Sequence, residues 1–207
     1  MNRRAKRIRK NSVRYFNRVA KSEEIISEPA LCYESVLERL EICKGGRLLD
    51  VGCGSGIMLS EIAKRFPDKF TLYGLDLSDE SIRRAKDLCG DHAVFTEGDS
   101  GDLPYESGTF DIVLCMHSFH HYPHPLQSLR EMNRVLATDG MLYLVENDYS
   151  DFQRARINVR LIALRHPRGD IRMYSRRAIS ALASIAGFRV GSHRKIADHS
   201  QILECIK

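Results

Sequence analysis

The sequence predicts an α/β domain, a doubly wound and mostly parallel sheet with helices on both faces and an antiparallel strand at its C-terminal edge. Three observations carry that prediction. Five short apolar runs are nearly continuous rather than alternating, as strands covered on both faces must be. Between them apolar residues recur three or four apart, the period of amphipathic crossover helices. The two patterns alternate every 20–30 residues or so, roughly the length of a strand and its right-handed crossover.

Taken in order, helical patterns at 12–27 and 30–43 precede the first strand, Arg47–Val51. A helix carrying Leu59, Ile62, Ala63 and Phe66 leads to the strand Phe70–Asp76. One carrying Ile82, Ala85 and Leu88 leads to Ala93–Glu97. Phe110–Met116 is the fourth strand, and Leu126, Leu129, Met132 and Leu136 mark the helix before the fifth, Met141–Glu146. Two further helices are expected at 152–165 and 176–186, the latter stopped by Gly187, which suits a left-handed C-cap. Phe188–Lys195 and Gln201–Ile206 flank a short polar turn and read as an antiparallel pair. At 207 residues one domain is expected, since domains commonly run to ~100–200 residues. It divides into a basic arm and cap helices (1–46), a ligand-binding core (47–150), a basic insertion (151–175) and a closing helix and strand pair (176–207).

Hydrophobic residues make up 43% and charged residues 29%, as in ordinary globular domains. No apolar run approaches the roughly 18–20 residues that span a bilayer, so no membrane span is expected. The basic N-terminus is followed by Asn11, Ser12 and Arg14 instead of an apolar stretch, which argues against a secretory signal. The six cysteines show no CxxC pairing and read as reduced thiols of a cytoplasmic protein. The net charge of +5 is uneven: residues 1–10 carry six Lys/Arg and no acid, and residues 151–177 carry eight Arg against Asp151 and Asp170. Such stretches either attract an anionic partner or form solvated faces.

The segment Leu48-Leu49-Asp50-Val51-Gly52-Cys53-Gly54-Ser55-Gly56 places three glycines between a strand and a helix. Glycines let backbone approach a ligand without Cβ collision, and the helix N-terminus offers unpaired N–H groups. The spacing is G-x-G-x-G, with Ile57 where a dinucleotide fingerprint needs its third glycine, which disfavours NAD. Asp76 ends the next strand, where a carboxylate can accept from both ribose hydroxyls or serve as a helix-start charge beside Ser78.

These motifs together resemble the class I S-adenosylmethionine-dependent methyltransferases, especially the ubiquinone/menaquinone-type group. LLDVGCGSG is similar to the family's first motif, GLDLS to its second, EGDSGDLPYESGTFDIVLC to its adenine-side and fourth-strand motifs, and LREMNRVLATDGMLYLVE to its fifth-strand region. The resemblance implies a Rossmann-like fold and S-adenosylmethionine as cofactor. It implies that Asp50 and Gly52 sit by the methionine moiety, with Gly54 and Gly56 allowing its close approach and Cys53 among the cofactor-binding residues. By the same resemblance Asp76 binds the ribose, Leu77 flanks the adenine, Asp99 accepts from the adenine amino group, Ser100 presents its N–H to the ring, and Cys115 backbone lines the sulfonium. For Asp99 an Asx-type turn is the alternative. The stretch Tyr15-Phe16-Asn17-Arg18-Val19-Ala20 is similar to a family helix that covers the cofactor, although Ser22-Glu23-Glu24 stands where the family has Tyr-Asp. Ordinary helix packing is the alternative for Tyr15 and Phe16.

Methyl transfer from a sulfonium is an in-line displacement that needs positioning first and a base only for a protonated acceptor. The loop Met116-His117-Ser118-Phe119-His120-His121-Tyr122-Pro123-His124 follows the fourth strand beside the expected methyl position. His117 is the candidate catalytic residue, and His117 and His120 are expected on the substrate side; the adjacent His-His also resembles a family element that organises this loop. In the insertion, Arg156 and Arg160 fall on one helix face and are expected to bind an anionic small-molecule substrate. Related arginines are Arg154, Arg165, Arg168 and Arg172. An Asn/Asp-Pro-Pro-Tyr element is absent, which demotes nucleobase amino-methylation. Asn147 and Asp148 follow the fifth strand but nothing acidic ends the fourth, so no metal is expected. RNA methylation guided by the basic arm, and a non-catalytic S-adenosylmethionine-binding partner subunit, stand as alternatives to a small-molecule acceptor.

Overall fold

The computed structural model describes residues 3–21, 30–164, 169–197 and 199–207. Strands β1 (Gly46–Val51), β2 (Phe70–Asp76), β3 (Ala93–Glu97), β4 (Phe110–Met116), β5 (Leu136–Asn147), β6 (Arg189–Ala197) and β7 (Ser200–Ile206) form one sheet in the order β3-β2-β1-β4-β5-β7-β6. The first five run parallel, and β7 lies antiparallel between β5 and β6. The chain winds outward from β1 in both directions, so the order reverses between β1 and β4. Sheets wound this way open a crevice at the carboxyl ends of their strands at that reversal.

Alternate residues of each central strand feed two cores. Leu49, Val51, Val113, Cys115, Leu142 and Leu144 pack with Leu129 and Met132 of α5 (Pro125–Val135) and Ile179 and Ala183 of α7 (Arg176–Ile185). On the other face Leu48, Leu72, Ile112 and Leu114 pack with α2 (Ala30–Ile42), α3 (Ile57–Arg65) and α4 (Asp79–Cys89). Fully buried leucines such as Leu48 and Leu49 each contribute about 1.5–3 kcal/mol by leaving water. Caps fix where the helices begin. The Ser78 hydroxyl accepts from Ser81 N at α4, Pro125 opens α5, and a reciprocal Ser150–Gln153 capping box opens α6 (Asp151–Ala163). Gly187 has φ 100°, with Phe188 N donating to Ala183 O and Gly187 N to Ser184 O. These two bonds form the Schellman ending of α7 that the glycine predicted.

Two elements differ from the sequence expectation. Helix α1 runs over Arg3–Lys21, so the basic residues expected in a free arm belong to a helix. Ala5, Ile8 and Ser12 are buried along one side of it, a spacing of three and four that a charge count hides. Residues 22–27 of the expected helix lie outside the described residues. Leu136, assigned by spacing to α5, instead opens β5 with extended backbone (φ −69°, ψ 141°) and pairs with Phe110. The register then shifts on β4 and β5 next to Asp139, which has φ 59°, so the long strand carries a bulge that periodicity cannot show. No helix among the described residues is long and apolar enough to cross a membrane.

Candidate active site

β1 delivers Asp50 and the glycine loop to the crevice. Gly52 N and Cys53 N donate to Leu75 O of β2 at 2.7 and 3.1 Å, and Gly54 N donates to Asp76 Oδ2 at 2.9 Å. The loop is thereby held to the neighbouring strand. Gly52, Gly54 and Gly56 all have positive φ, for different reasons. A Cβ on Gly52 would lie 2.5 Å from the Ser118 side chain, and one on Gly56 would lie 3.0 Å from Ala85 Cβ. One on Gly54 would meet no atom of the described residues within 4 Å. Packing of the protein itself demands the outer two, while Gly54 leaves open space above the strand ends.

That space is one end of a cavity of about 750 Å³, within the ~300–1,000 Å³ usual for small-molecule sites. Asp50, Gly52, Cys53, Gly54, Asp76, Leu77, Asp99 and Ser100 all line it. Asp50 is 3% exposed, and its Oδ1 has no hydrogen-bond partner among the described residues. Burial, and secondarily the charge of Asp76, pushes its pKa up to about 7. A buried carboxylate in that condition fits a ligand that brings a cation, such as the ammonium of an amino acid. Asp76 accepts from Gly54 N and, through Oδ1, from Ser78 N at 2.9 Å. Burial raises its pKa against the opposing effect of those N–H groups. Ionised, it retains lone pairs for a ribose. Asp99 Oδ1 accepts from Gly101 N at 2.9 Å, the Asx turn anticipated as an alternative, while Oδ2 lies 3.7 Å from Arg9 Nε of α1. Ser100 and Ser128 hydroxyls are 2.9 Å apart beneath it.

The other end is built from the loop after β4. His117 has φ 45°, an uncommon conformation for a residue with a Cβ and one that concentrates at functional sites. Its N–H donates to Val145 O at 2.8 Å. His120 Nδ1 lies 3.0 Å from both carboxylate oxygens of Glu146, which is 1% exposed on β5. Burial disfavours a charged His120, but Glu146 outweighs it and holds the imidazole above its ordinary pKa; the Glu146 carboxyl, raised by burial, is brought below its own by His120. Burial, then the charge of His120, drives His121 well below the ordinary range, so it stays neutral. His117, His120, His121, Asp170, Met173 and His199 line this end. Tyr15 and Phe16 of α1 also line the cavity, and the Phe16 ring meets His121 edge-on at 4.9 Å. Helix packing and a place in the wall are thus the same position for both. The Asn17 amide Nδ2 donates to Asp79 Oδ1 at 2.8 Å, which tethers α1 to the start of α4.

Four expected site residues stand apart. Gly56 packs against α4 and does not line the cavity. Cys115 is fully buried beneath it, its thiol 3.3 Å from Ser118 Oγ, with burial pushing its pKa up to about 12. Arg156 and Arg160 are exposed on α6, Arg156 lying 5.6 Å over the Phe152 ring, and neither reaches the cavity. Their helical spacing was read correctly, but it could not say which way the face turns. Arg154 pairs with Asp151, and Arg172 lies over the Tyr174 ring. Arg165, Arg168 and Ser22–Glu24 are outside the described residues. Sequence reasoning also missed residues that matter here. Ser118 and Tyr122 hydroxyls both donate to Val51 O at 3.0 Å, bracing the glycine loop. Glu146 and Asp170 meet the histidines only in three dimensions. The expectation of no metal considered acids after the fourth and fifth strands, whereas Asp170 arrives from the segment after α6.

A family model described as a methyltransferase domain matches residues 25–193. The chain is 34% identical over 110 residues to the 27-O-demethylrifamycin SV methyltransferase of Amycolatopsis mediterranei, covering 51% of this chain and 40% of that protein. It is 36% identical over 126 residues to the fatty-acid O-methyltransferase of Mycolicibacterium smegmatis, covering 59% and 44%. The chain thus spans less than half the length of these relatives. Among solved structures, a complex between the Haloferax volcanii Trm112 methyltransferase activator and a methyltransferase shares the fold, with a TM-score of 0.78, 21% identity and 96% of each chain covered.

Proposed function

This chain belongs to the class I S-adenosylmethionine-dependent methyltransferases, and from that premise we propose that it methylates a small-molecule acceptor held at the histidine end of the cavity. The observation that carries the proposal is the cavity's division. At one end a glycine loop and the carboxylates of Asp50, Asp76 and Asp99 meet; at the other, imidazoles gather around the left-handed backbone of His117. The small-molecule acceptors named for the rifamycin and fatty-acid relatives support that class. When bound, S-adenosylmethionine supplies an electrophilic methyl group on a sulfonium, open to in-line displacement by an acceptor lone pair.

Asp50 would hold the ammonium of the cofactor, Gly52, Cys53 and Gly54 would let its methionine portion lie against the strand ends, and Asp76 would accept from the ribose. Leu77, Asp99 and Ser100 would enclose the adenine. His117 would position the acceptor and take the proton that an O–H or N–H nucleophile must lose, a role worth about 10²–10⁴-fold when a base is needed. Helix α1, whose Tyr15 and Phe16 line the same space, would help to exclude water from it. Among the described residues, an anionic acceptor draws no support from arginine at the histidine end. Among the described lining residues the arginines are Arg9, paired with Asp99, and Arg84 of α4 on the cofactor side.

Calorimetric titration with S-adenosylmethionine and S-adenosylhomocysteine tests the cofactor half. Wild type binds both, and Asp76→Ala weakens each by about 10–100-fold, the worth of a charge-assisted hydrogen bond. Silence from wild type overturns the reading. In turnover assays His117→Ala lowers kcat while leaving cofactor affinity unchanged; an unchanged kcat removes the role given to His117.

A further inference from the structure

The acceptor end contains a grouping whose donor chemistry goes beyond holding a loop in place. His120 and His121 are consecutive in the turn after β4, their rings 4.0 Å apart at 44°. Asp170 comes from the segment between α6 and α7. One ligand atom from each of the three lies within 4.8 Å of the others. The closest pair is His121 Nδ1 and Asp170 Oδ1 at 3.1 Å, and His120 Nε2 is 4.0 Å from the same oxygen. Ligand atoms at ~2.0–2.2 Å from a common tetrahedral ion stand roughly 3.4 Å apart, so only small side-chain movements separate the present spacing from a coordination set.

Three further observations favour an ion over a latch. The His121–Asp170 contact lacks hydrogen-bond alignment despite its length, and the two segments are already fastened by Ile171 N donating to His120 O at 2.8 Å, so the pair is not needed as a latch. His120 is oriented from behind by Glu146, which engages Nδ1 and leaves Nε2 toward Asp170. A carboxylate behind a histidine is the arrangement that fixes a ligating imidazole's ring and tautomer. All three ligating residues line the cavity, so an ion there would keep open positions, as catalytic metals do and closed structural sites do not.

We propose that His120, His121 and Asp170 bind a first-row divalent transition metal, with Glu146 as the residue that positions His120. Two imidazoles and one carboxylate select such ions over magnesium or calcium, which take oxygen donors. The ion would give the acceptor end the positive charge that Arg156 and Arg160 do not bring there, and would hold an acidic oxygen of the acceptor by direct coordination. That last role rests on the methyltransferase reading; metal binding itself does not.

The test is a cobalt(II) titration of the full chain after chelator treatment and desalting, read by visible d–d absorption, with bound metal counted by elemental analysis. Wild type takes up one equivalent, and zinc(II) displaces it. His121→Ala and the near-isosteric Asp170→Asn each weaken binding at least tenfold, and Glu146→Gln weakens it about 10–100-fold, as loss of an orienting carboxylate does. His124→Ala, an exposed neighbour outside the cavity, binds like wild type. Thermal melting of Asp170→Asn confirms that it folds. No cobalt band in wild type, or an undiminished band in folded Asp170→Asn, overturns the proposal. Cobalt binding without S-adenosylmethionine binding would uphold the metal site and defeat the methyltransferase reading; the converse would do the opposite.

Discussion

The two ends of the cavity are assembled in contrasting ways. At the cofactor end, Asp50, Gly54, Asp76, Leu77, Asp99 and Ser100 lie at or just after the carboxyl ends of β1, β2 and β3 in chain order. Each is fixed by the strand that precedes it, and the loop is hydrogen-bonded to its neighbour strand. At the acceptor end, His117, His120 and His121 come from the loop after β4, Asp170 from beyond α6, His199 from the turn between β6 and β7, and Phe16 from α1. These parts are far apart in the chain and meet through tertiary contacts, among them Ile171 N donating to His120 O at 2.8 Å. A site made by consecutive strand ends is constrained by the sheet. One made by insertions can change its ligand without disturbing the sheet, which suits an invariant cofactor at one end and a particular acceptor at the other.

Substitutions within the glycine loop separate what the sheet requires from what the ligand requires. Gly52→Ala has the largest expected effect. Its Cβ would collide with Ser118 at a φ of 80°, and overpacking plus left-handed strain should cost about 2–5 kcal/mol, read as a loss of melting temperature without any ligand. Wild-type stability there would mean that the Ser118–Tyr122 brace yields easily.

Asp50 comes next, and its effect depends on pH. Its folded pKa of about 7 lies above its ordinary 3.8, so the folded chain binds the proton more tightly than the unfolded one. Stability is then greatest below about pH 4 and falls as pH rises to about 7, beyond which it levels. Asp50→Asn escapes that penalty. In the absence of cofactor it should melt above wild type at pH 8, by the equivalent of about 4 kcal/mol, and match it near pH 4. The same variant should bind S-adenosylmethionine less tightly. Parallel melting curves across pH would show that Asp50 is not the strained carboxylate of this site.

Gly54→Ala should cost only about 1 kcal/mol of stability, the price of left-handed backbone for a residue with a Cβ, because no atom of the described residues stands in its way. Its Cβ enters the cavity, so S-adenosylmethionine affinity should fall at least tenfold. Equal losses of stability in Gly52→Ala and Gly54→Ala would erase the distinction drawn between them. The same asymmetry explains what could be read in the sequence. The strands, the glycine loop and Asp76 were legible because burial on both faces and a strand-loop-helix junction leave local marks. Cys115 was read for its backbone on the fourth strand, and its thiol faces the core. The early start of α1 was masked by charge, although Ala5, Ile8 and Ser12 held the helical spacing. Asp170 left no mark, because its neighbours in sequence say nothing of the histidines it meets.

The smallest expected effect is the most discriminating for the acceptor. Charge alone suggests that Arg156 and Arg160 gather an anionic substrate, and that reversing both should raise its KM. Their place on the exposed face of α6, outside the cavity, argues otherwise. Exposed charges act over about a Debye length, ~8 Å at physiological salt, and then mainly on encounter rate. Arg156→Glu with Arg160→Glu should therefore change the acceptor KM by less than about twofold at physiological salt, and melting temperature hardly at all. A large rise in KM that persists in high salt would mean direct contact with the acceptor. It would require α6 to turn its outer face inward, and the acceptor end would then have to be redrawn around arginines instead of histidines.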